Sequence, residues 1–565
     1  MIVTLGGIQV LAYPNRMSSD DVVSYLDVAD AYRYHQWKAA LNGYWSPLYS
    51  WVLAVGEWVM RPAASQEFSF VRLVNFTVYL LALAAFELFL RRAIAAHEHA
   101  VDARAGENAR LRIPRWTWLV FGYSVFLWAS LAWTGLRTDT PDLCTAALVY
   151  IAASILVGGR SAPLSSAQSL TLGAVMGLAY LSKTAMFPVA FAFLAAGCLT
   201  GRDRSRTIAR AAWAFGAFAL VTLPFIVSLS MVKHRATFGE SGRLNYAWQV
   251  NPGGYIIPGL HWQGGPGGFG VPSHPTRQIW HDPAVFEFEH GPQTYPPWGD
   301  PSYWYDGLRI RFNATAELAT IAANFTFYAR MFLISVGVFY MVLLWFGGFF
   351  ESVAAAVTDN WRLLFPATAG LTVYMLCTNL AVANIPTQPS TRYVAAFVVL
   401  LLTAMVSGVR LPDSRTSRRL LTVITVTAAT IIVVKLSFLA ANDLQLGSRP
   451  SPEQQVWIVG EWLHQAGVQP EDRVAILGSK GAHEFWARLG HVRIIAQIPD
   501  EDAFFGADVK VQNEIRAALA STGARVLMYR RRPRSRIGPE WRRLGRTDYY
   551  ICLLADSEQH QIAAR

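Results

Sequence analysis

Apolar runs recur along most of the chain and predict a bundle of transmembrane helices. A helix rises about 1.5 Å per residue, so about 20 apolar residues cross a bilayer core roughly 30 Å thick. The runs interpreted as spans are Phe70–Leu90, Trp116–Trp133, Leu143–Val157, Leu170–Leu181, Ala185–Leu199, Trp213–Val232, Phe325–Phe349, Leu363–Val382, Tyr393–Val409 and Leu420–Ala441. Lys183 and Pro188 interrupt one stretch, and because an unpaired lysine is costly at the bilayer centre, we expect a helix end there.

The segment before these runs has a different pattern. Asp20 and Asp21 open an amphipathic stretch, and an aromatic-rich stretch, Tyr44–Met60, follows an Asn-Gly pair. Neither is apolar enough to cross a membrane, so both are predicted to be helices at the membrane surface. Met1–Ala12 is apolar but short, and two interpretations stay open. It is either the outer end of a first span whose remainder the chain lacks, or a frayed interfacial segment.

From residue 450 onward, strand-like and helical runs alternate, which predicts a small α/β domain. The strand-like runs are Arg473–Leu477, Val492–Ala496, Arg525–Tyr529 and Tyr549–Leu554, and the helical ones are Gln454–Gln465, Ala482–Leu489 and Val511–Ala520. The predicted fold is therefore a polytopic α-helical membrane protein with interfacial helices on its outer face and a small C-terminal α/β domain. We expect a membrane domain over residues 1–445, with outer loops 18–60 and 233–324, and a soluble domain over 450–565.

Composition supports a membrane protein and removes other classes. The chain is 53% hydrophobic and 15% charged and contains 20 Trp, which is unlike an ordinary soluble domain. Its four cysteines lie far apart, without a disulfide framework or zinc-site spacing. The net charge of +11 does not by itself indicate nucleic acid, because membrane proteins collect arginine in cytoplasmic loops, and we expect no nucleic-acid partner.

Arginine placement predicts the orientation of the bundle. The Arg-rich loops are 91–115, 201–210 and 410–419. The predicted spans put all of them on one side, which by the positive-inside rule is the cytoplasm. The outer face then holds Asp20, Asp21, the 137–142 turn, Lys183, the 233–324 loop, the 384–392 loop and the C-terminal domain.

The 233–324 loop is rich in Pro and Gly, which mark turns, and in Trp, which is unusual for a disordered spacer. Loops of this length in compact proteins are commonly functional. Aromatic side chains can stack on sugar rings, while an aromatic belt at the membrane surface is the open alternative. The candidate contacts to a sugar or acceptor are His261, Trp262, Trp298 and Trp304.

The candidate reactive groups all fall on the predicted outer face. Carboxylates can take a proton from a hydroxyl as general bases. The carboxylate candidates are Asp20, Asp21, Asp139 and Asp142. Lysine and arginine can hold a phosphate and stabilise charge that develops on it. The phosphate-binding candidates are Lys183, Arg392 and Tyr393. The structural alternatives are helix caps for the aspartates and interfacial snorkelling for the cations.

Three segments resemble motifs of the GT-C superfamily of membrane glycosyltransferases. DVVSYLDVA, residues 21–29, is similar to the D-x-x-x-Y-L-x-x-A signature in the first outer loop of that superfamily. GLAYLSKTAMFP around Lys183 and TRYVAAFVVLLL around Arg392 are similar to segments of its protein O-mannosyltransferase and aminoarabinose-transferase branch. The resemblance covers roughly residues 18–410 and depends on the order, spacing and common side of these segments.

The resemblance implies a reaction and a set of roles. Members of the superfamily take a sugar from a polyprenyl phosphate and transfer it with inversion. It makes Asp21 the base and Asp20 a neighbour without an assigned role, while Lys183 and Arg392 bind the lipid phosphate. The carboxylates of the 137–142 turn are candidate ligands for a metal or the acceptor, and the need for a divalent metal stays open.

The resulting prediction is a multi-pass glycosyltransferase of the bacterial inner membrane with an outward-facing site. Its donor would be a sugar on polyprenyl phosphate, and its acceptor a hydroxyl of a glycolipid, polysaccharide or protein. A transporter or lipid flippase is one rival, which should show paired broken helices in two related halves. A non-catalytic assembly subunit is the other, and it would tolerate loss of Asp21. The sequence has no Walker-type loop, so a nucleotide-driven pump has no support.

The Arg-rich loops generate a topology prediction. A cysteine placed at Ala103 should not react with a membrane-impermeant thiol reagent in intact cells, because the positive-inside rule puts loop 91–115 in the cytoplasm. The same cysteine should react once the membrane is permeabilised. Labelling in intact cells would overturn the orientation and the outer-face site with it.

Overall fold

The computed structural model describes most of the chain, and the structural statements below concern the residues that it describes. They are 1–12, 21–102, 111–159, 163–199, 203–250, 276–288, 294, 310–333, 337–383, 389–448, 453–478, 484–531 and 537–554. Some predicted site residues lie outside these ranges, namely Asp20, His261, Trp262, Trp298 and Trp304.

The first 450 residues are mainly helical. Short helices come first: α1 (Ile2–Ala12), α2 (Asp21–Arg33), α3 (Trp37–Ala40) and α4 (Pro47–Met60). The next helices are α5 (Glu67–Asp102), α6 (Arg115–Leu127), α7 (Asp142–Gly158), α8 (Ser166–Ser182), α9 (Met186–Cys198), α10 (Arg204–Val232) and α11 (Ser241–Gln249). After the long loop come α12 (Ala314–Phe332), α13 (Val338–Gly347), α14 (Phe349–Cys377), α15 (Ala395–Gly408) and α16 (Arg415–Ser448).

The protein is an integral membrane protein. Within the described part of the chain, 4 helices are long and apolar enough to cross a membrane, or up to 5 if the bent pair α13 and α14 is one span. The unbent candidates are Ala64–Asp102, Arg115–Thr134, Arg204–Val232 and Arg415–Gln445. Each corresponds to a predicted apolar run.

Several other predicted spans are shorter helices than the sequence led us to expect. Helices α7 and α8 have 17 residues each, α9 has 13 and α15 has 14. A helix needs about 20 residues to cross a bilayer unaided. Most residues of α7, α9 and α15 are buried inside the protein, so these helices lie within the bundle rather than against lipid.

The predicted span Phe325–Phe349 extends past the end of a helix. Its described residues are helical up to Gly347, where α13 ends, and α14 begins after Gly348. Gly348 adopts a φ of +78°, which glycine reaches without the steric cost that a side chain would add. Apolar residues stand on both sides of Gly348, so hydropathy alone gave no sign of this boundary.

The predicted break near Lys183 is confirmed. Helix α8 ends at Ser182, and α9 begins at Met186. Lys183 has extended backbone angles, φ −157° and ψ 121°, and its N–H still donates to the carbonyl of Ala179 at 3.0 Å. The lysine side chain therefore leaves the helix at its end, where it meets polar groups instead of the bilayer centre.

The C-terminal region forms the predicted α/β unit around one sheet. Its helices are α17 (Glu453–Gln465), α18 (Glu484–Leu489), α19 (Glu501–Gly506) and α20 (Val509–Ser521). The strands are β1 (Arg277–Trp280), β2 (Val285–Glu287), β3 (Arg473–Leu477), β4 (Arg493–Ile498), β5 (Val526–Arg530), β6 (Arg542–Arg543) and β7 (Tyr549–Leu553). The order is β1-β2-β4-β3-β5-β7-β6, with a parallel centre formed by β4, β3 and β5.

Strands β1 and β2 belong to the long loop 233–324, yet they extend the C-terminal sheet. Strand β2 pairs antiparallel with β4, and the Phe288 N–H donates to the Ile495 carbonyl at 2.9 Å. The loop is therefore attached to the C-terminal unit by backbone hydrogen bonds, which the sequence did not predict. The division at 445–450 stays a prediction.

Helix α2 is more enclosed than its amphipathic pattern predicts. Every residue from Val22 to Ala29 is buried, and the helix packs mainly against α4. Tyr25 makes edge-to-face contacts with Trp45 and Tyr49, each with ring centroids 5.1 Å apart. A helix surrounded on all sides needs partners for its polar groups.

Arg488, on α18, supplies the main partner. It is fully buried, and its guanidinium donates to both Glu67 carboxylate oxygens at 2.5 and 2.9 Å. Its Nη1 donates to Asp27 at 2.9 Å and to Asp30 at 2.5 Å, and its Nη2 lies 3.8 Å from the Glu57 carboxylate. One side chain of the C-terminal unit thus ties together α2, α4 and the start of α5.

The carboxyl groups outnumber the cations at this junction, and their pKa values respond. Burial raises the pKa of Asp27 to about 6, although Arg488 acts in the opposite direction. Burial raises the pKa of Glu57 to about 8, again against Arg488. In the unfolded chain both groups titrate near pKa values of about 4. The folded protein therefore holds protons on these groups that the unfolded chain has released.

This difference predicts that stability falls as pH rises. A group whose pKa is raised by folding contributes its full stabilisation at pH values below its pKa in the unfolded chain. That stabilisation is lost progressively as the pH rises to the pKa in the folded protein, here between about pH 4 and 8. Glu57→Gln removes the upper part of this titration, so the variant should lose less stability than wild type between about pH 6 and 8. The thermal unfolding midpoint of detergent-purified protein measures this. Parallel midpoint curves for the two proteins would contradict the assignment of Glu57.

Candidate functional site

A cavity of about 560 Å³ lies where α2, the segment before α4, α7, α8 and the segment after α10 meet. It gathers residues that are far apart in the chain. The charged side chains that line it, among the described residues, are Asp21, Asp142, Lys183, Arg235, Glu240, Arg243 and Arg392. Four cations against three carboxylates give the cavity a net positive charge, which suits an anionic ligand.

Asp142 is the centre of the first charged cluster. Its Oδ1 accepts a hydrogen bond from the Lys183 ammonium, and its Oδ2 lies 3.2 Å from Nε of Arg392. The Thr140 hydroxyl donates to Oδ2 at 2.7 Å. Asp142 is buried, and two cations compensate its charge, so the cluster keeps one net positive charge at the cavity wall.

Local structure explains how the three groups meet. Asp142 is the first residue of α7, directly after Pro141, so the structure makes it a helix-start residue and an ion-pair partner at once. Lys183 follows the last residue of α8. Arg392 lies in the 3-10 turn Ser390–Tyr393, where the Ser390 hydroxyl donates to the Leu380 carbonyl at 2.7 Å.

Two tyrosines form an aromatic wall beside this cluster. The rings of Tyr374 and Tyr393 stack with centroids 5.5 Å apart and planes 5° from parallel. The Lys183 ammonium lies 4.0 Å from the centre of the Tyr393 ring, and Nη2 of Arg392 donates to the Tyr393 hydroxyl at 3.0 Å. Cations over aromatic faces are stabilised where water is scarce. Tyr374 was missed from the sequence, where it is one aromatic residue within an apolar run.

Asp21, the predicted base, lines the same cavity at the start of α2. Tyr25, one helical turn later, also lines it. Asp21 is half-buried, and its position in the first turn favours a negative charge. The structure thus brings Asp21, Lys183, Arg392 and Tyr393 to one cavity, as the sequence prediction requires. Asp20 lies outside the described residues.

A second charged cluster in the cavity was not predicted. Glu240 is buried, and its Oε1 accepts hydrogen bonds from Arg235 and, at 3.1 Å, from Arg243. The Glu240 N–H donates to the carbonyl of Gly43 at 2.6 Å. A Cβ at Gly43 would lie 2.8 Å from the Glu240 Cγ, so glycine is needed for this close approach. Only the fold joins these two parts of the chain.

Asp139, a candidate metal or acceptor ligand, lies elsewhere. It is fully buried, and Oδ1 accepts hydrogen bonds from Arg72 at 2.5 Å and Asn75 at 3.0 Å. The Arg72 guanidinium also donates to the Arg137 carbonyl at 2.7 Å. Asp139 is not among the described residues that line the cavity, and its ion pair fixes the turn before α7. The structure therefore does not place Asp139 beside Asp142 at the cavity, as a shared metal or acceptor site would require.

One structural observation concerns whether the protein could bind a metal ion. In the described ranges, no group of three or more His, Cys, Asp and Glu residues is placed to hold a metal ion. The predicted sugar or acceptor contacts, His261, Trp262, Trp298 and Trp304, lie outside those ranges, and their role stays a prediction.

Comparison with known proteins places the fold. No protein-family model matches the chain, and no curated protein matches it. Among solved structures the chain is similar to ArnT from Cupriavidus metallidurans bound to undecaprenyl phosphate, with 14% identity and a TM-score of 0.50 over 98% of each chain. The chain has the GT-C membrane fold.

Oligosaccharyltransferase from Archaeoglobus fulgidus is also similar. Its complex with zinc and sulfate shares 14% identity, with a TM-score of 0.43 over 94% of this chain and 67% of that one. Its apo form shares 13% identity, with a TM-score of 0.43 over 93% and 69%. The resemblance to GT-C proteins noted in the sequence is confirmed at the level of the fold.

Proposed function

We propose that this protein transfers a sugar from a polyprenyl-phosphate donor to a hydroxyl acceptor, with inversion at the sugar. The acceptor class is a glycolipid, a cell-surface polysaccharide or a protein. The arrangement that carries the proposal is a buried Asp142 that holds Lys183 and Arg392 at a cavity that Asp21 also lines. A base for the acceptor and cations for the leaving group are the two requirements of such a transfer.

The donor class follows from charge and from fold. A phosphate ester carries at least one negative charge, and the cavity presents four cations against three carboxylates among the described lining residues. ArnT of Cupriavidus metallidurans, which shares the fold, binds undecaprenyl phosphate. We assign the phosphate of the same lipid class to Lys183 and Arg392 in this chain.

The proposed step moves one proton and exchanges one bond. The Asp21 carboxylate accepts the proton of the acceptor hydroxyl while the oxygen attacks the anomeric carbon. The bond between that carbon and the phosphate oxygen breaks, and the polyprenyl phosphate leaves with an added negative charge. Lys183 and Arg392 stabilise this charge, because their positions are set before the reaction by Asp142 and Tyr393.

We place the site on the outer face of a bacterial cytoplasmic membrane. The support is the distribution of arginine, since loops 91–115, 201–210 and 410–419 are predicted to be cytoplasmic. Asp142 begins α7, whereas Arg92 of the first Arg-rich loop donates to the Ser154 carbonyl near the other end of that helix at 3.1 Å. A lipid-linked donor would then enter from the outer leaflet.

The phosphate assignment predicts a selective loss of donor use. Lys183→Ala and Arg392→Ala should each weaken donor saturation about ten- to a hundredfold, because a charge-assisted hydrogen bond contributes about 1.5–3 kcal/mol. Lys38→Ala is the matched control, since Lys38 is exposed on α3 and does not line the cavity. Titration of undecaprenyl phosphate against purified protein measures the effect. Unchanged saturation in both cavity variants would count against the assignment.

The base assignment predicts a loss of turnover with binding intact. Asn is nearly isosteric with Asp but cannot accept the proton, so Asp21→Asn should reduce transfer at least about 10²-fold, the usual scale for a general base. Expression and undecaprenyl phosphate binding should not change. Transfer of labelled sugar per bound donor is the measurement.

Asp20→Asn is the control for the register. It should cost less than Asp21→Asn, because the resemblance to GT-C proteins assigns the base to Asp21 and gives Asp20 no role. Normal transfer by Asp21→Asn together with loss in Asp20→Asn would shift the base by one residue. Full activity in both variants would show that neither residue is the base. It would then favour the transporter and assembly-subunit hypotheses.

A further inference from the structure

Arg488 lies in the C-terminal unit and is not among the described residues that line the cavity. We propose that it is nevertheless a positioning residue for transfer, which holds helix α2 so that Asp21 reaches the acceptor hydroxyl. The inference rests on the proposed function, in which Asp21 is the base. It gives the C-terminal α/β unit a role in the reaction.

Arg488 forms hydrogen bonds to helix α2 with one side of its guanidinium and to helix α5 with the other. Its Nη1 donates to Asp27 at 2.9 Å and to Asp30 at 2.5 Å. The other side of the same guanidinium makes a two-bond contact with Glu67 at the start of α5. A planar guanidinium fixes angles as well as distances, which an ammonium does not. Arg488 therefore sets the place of α2 relative to the membrane bundle.

Helix α2 transmits that placement to the cavity. Asp27 lies six residues after Asp21, or roughly 9 Å along the axis at about 1.5 Å per residue, without a break in the helix. A shift or rotation at Asp27 thus moves Asp21 with it. Transfer is sensitive to such motion, since a misplacement of about 1 Å at a reacting group can cost about 10²-fold.

The long loop converges on the same carboxylate. The Thr294 N–H donates to Asp27 Oδ2 at 3.0 Å, and the Thr294 hydroxyl donates to Oδ1 at 3.1 Å. Strands β1 and β2 of that loop extend the sheet through β4. Asp27 is thus the point where α2, the loop and the C-terminal unit are held together. If Arg488 only stabilised the fold, there would be no need for α2, the long loop and the C-terminal unit to bond to the same carboxylate.

The test compares Arg488→Lys and Arg488→Met with Arg493→Met. Arg493 forms an ion pair with the exposed Glu471 of the same unit instead of with a carboxylate of α2, and serves as the matched control. Three quantities are measured on full-length protein: kcat per folded molecule, KM for the lipid-linked donor, and amide hydrogen exchange of residues 22–33. Undecaprenyl phosphate binding gives the amount of folded protein.

Arg488→Lys should lower kcat about tenfold and leave the donor KM within about twofold, because charge is kept and geometry is lost. Exchange of the α2 amides should rise in both Arg488 variants and stay at the wild-type level in Arg493→Met. If Arg488→Met does not fold, Arg488→Lys decides alone. An unchanged kcat per folded molecule, or a raised donor KM with kcat unchanged, would overturn the positioning role.

The exchange measurement separates this inference from the proposed function. If wild-type protein transfers no sugar with any donor, the proposed function fails. The hold of Arg488 on α2 is then judged by exchange alone. Faster α2 exchange in Arg488→Lys would support that hold, and exchange equal to wild type would overturn it.

Discussion

The cavity depends on one constraint, a buried carboxylate that must be neutralised. Asp142 is buried, and an unpaired charge there would cost several kcal/mol. Lys183 and Arg392 meet this requirement from two other parts of the chain. These ion pairs therefore hold the end of α8 and the turn before α15 next to the start of α7. The two cations that compensate Asp142 also line the cavity.

A second buried junction places the other half of the site. Arg488 joins α2, α4 and α5 to the C-terminal unit through an excess of carboxyl groups. Burial raises the pKa of Glu57 to about 8, which removes one negative charge from the junction over the neutral range. The two junctions face different demands. The cations that hold Asp142 line the cavity, whereas Arg488 is not among the described residues that line it and bonds to carboxylates of α2 and α5.

The position of Asp21 depends on the packing of α2. It begins a helix whose next eight residues are all buried, so the helix cannot move without repacking its neighbours. The same fold occurs in ArnT at 14% identity, where sequence similarity is too low to transfer residue roles. The packing around α2 and Asp142 supplies arguments for these roles that do not depend on the relative.

The sequence by itself determined the membrane character, the break at Lys183 and the α/β character of the end of the chain, because hydropathy and strand or helix period are local properties. It also placed Asp21, Lys183 and Arg392 on one predicted side. It could not separate Asp142 from Asp139, since both sit in one polar turn, and only the fold gives one to the cavity and the other to Arg72. Contacts between residues distant in the chain, such as Glu240 with Gly43 or Arg488 with α2, have no local sequence pattern that predicts them. Only the tertiary structure reveals them, because burial there requires each polar group to have a partner.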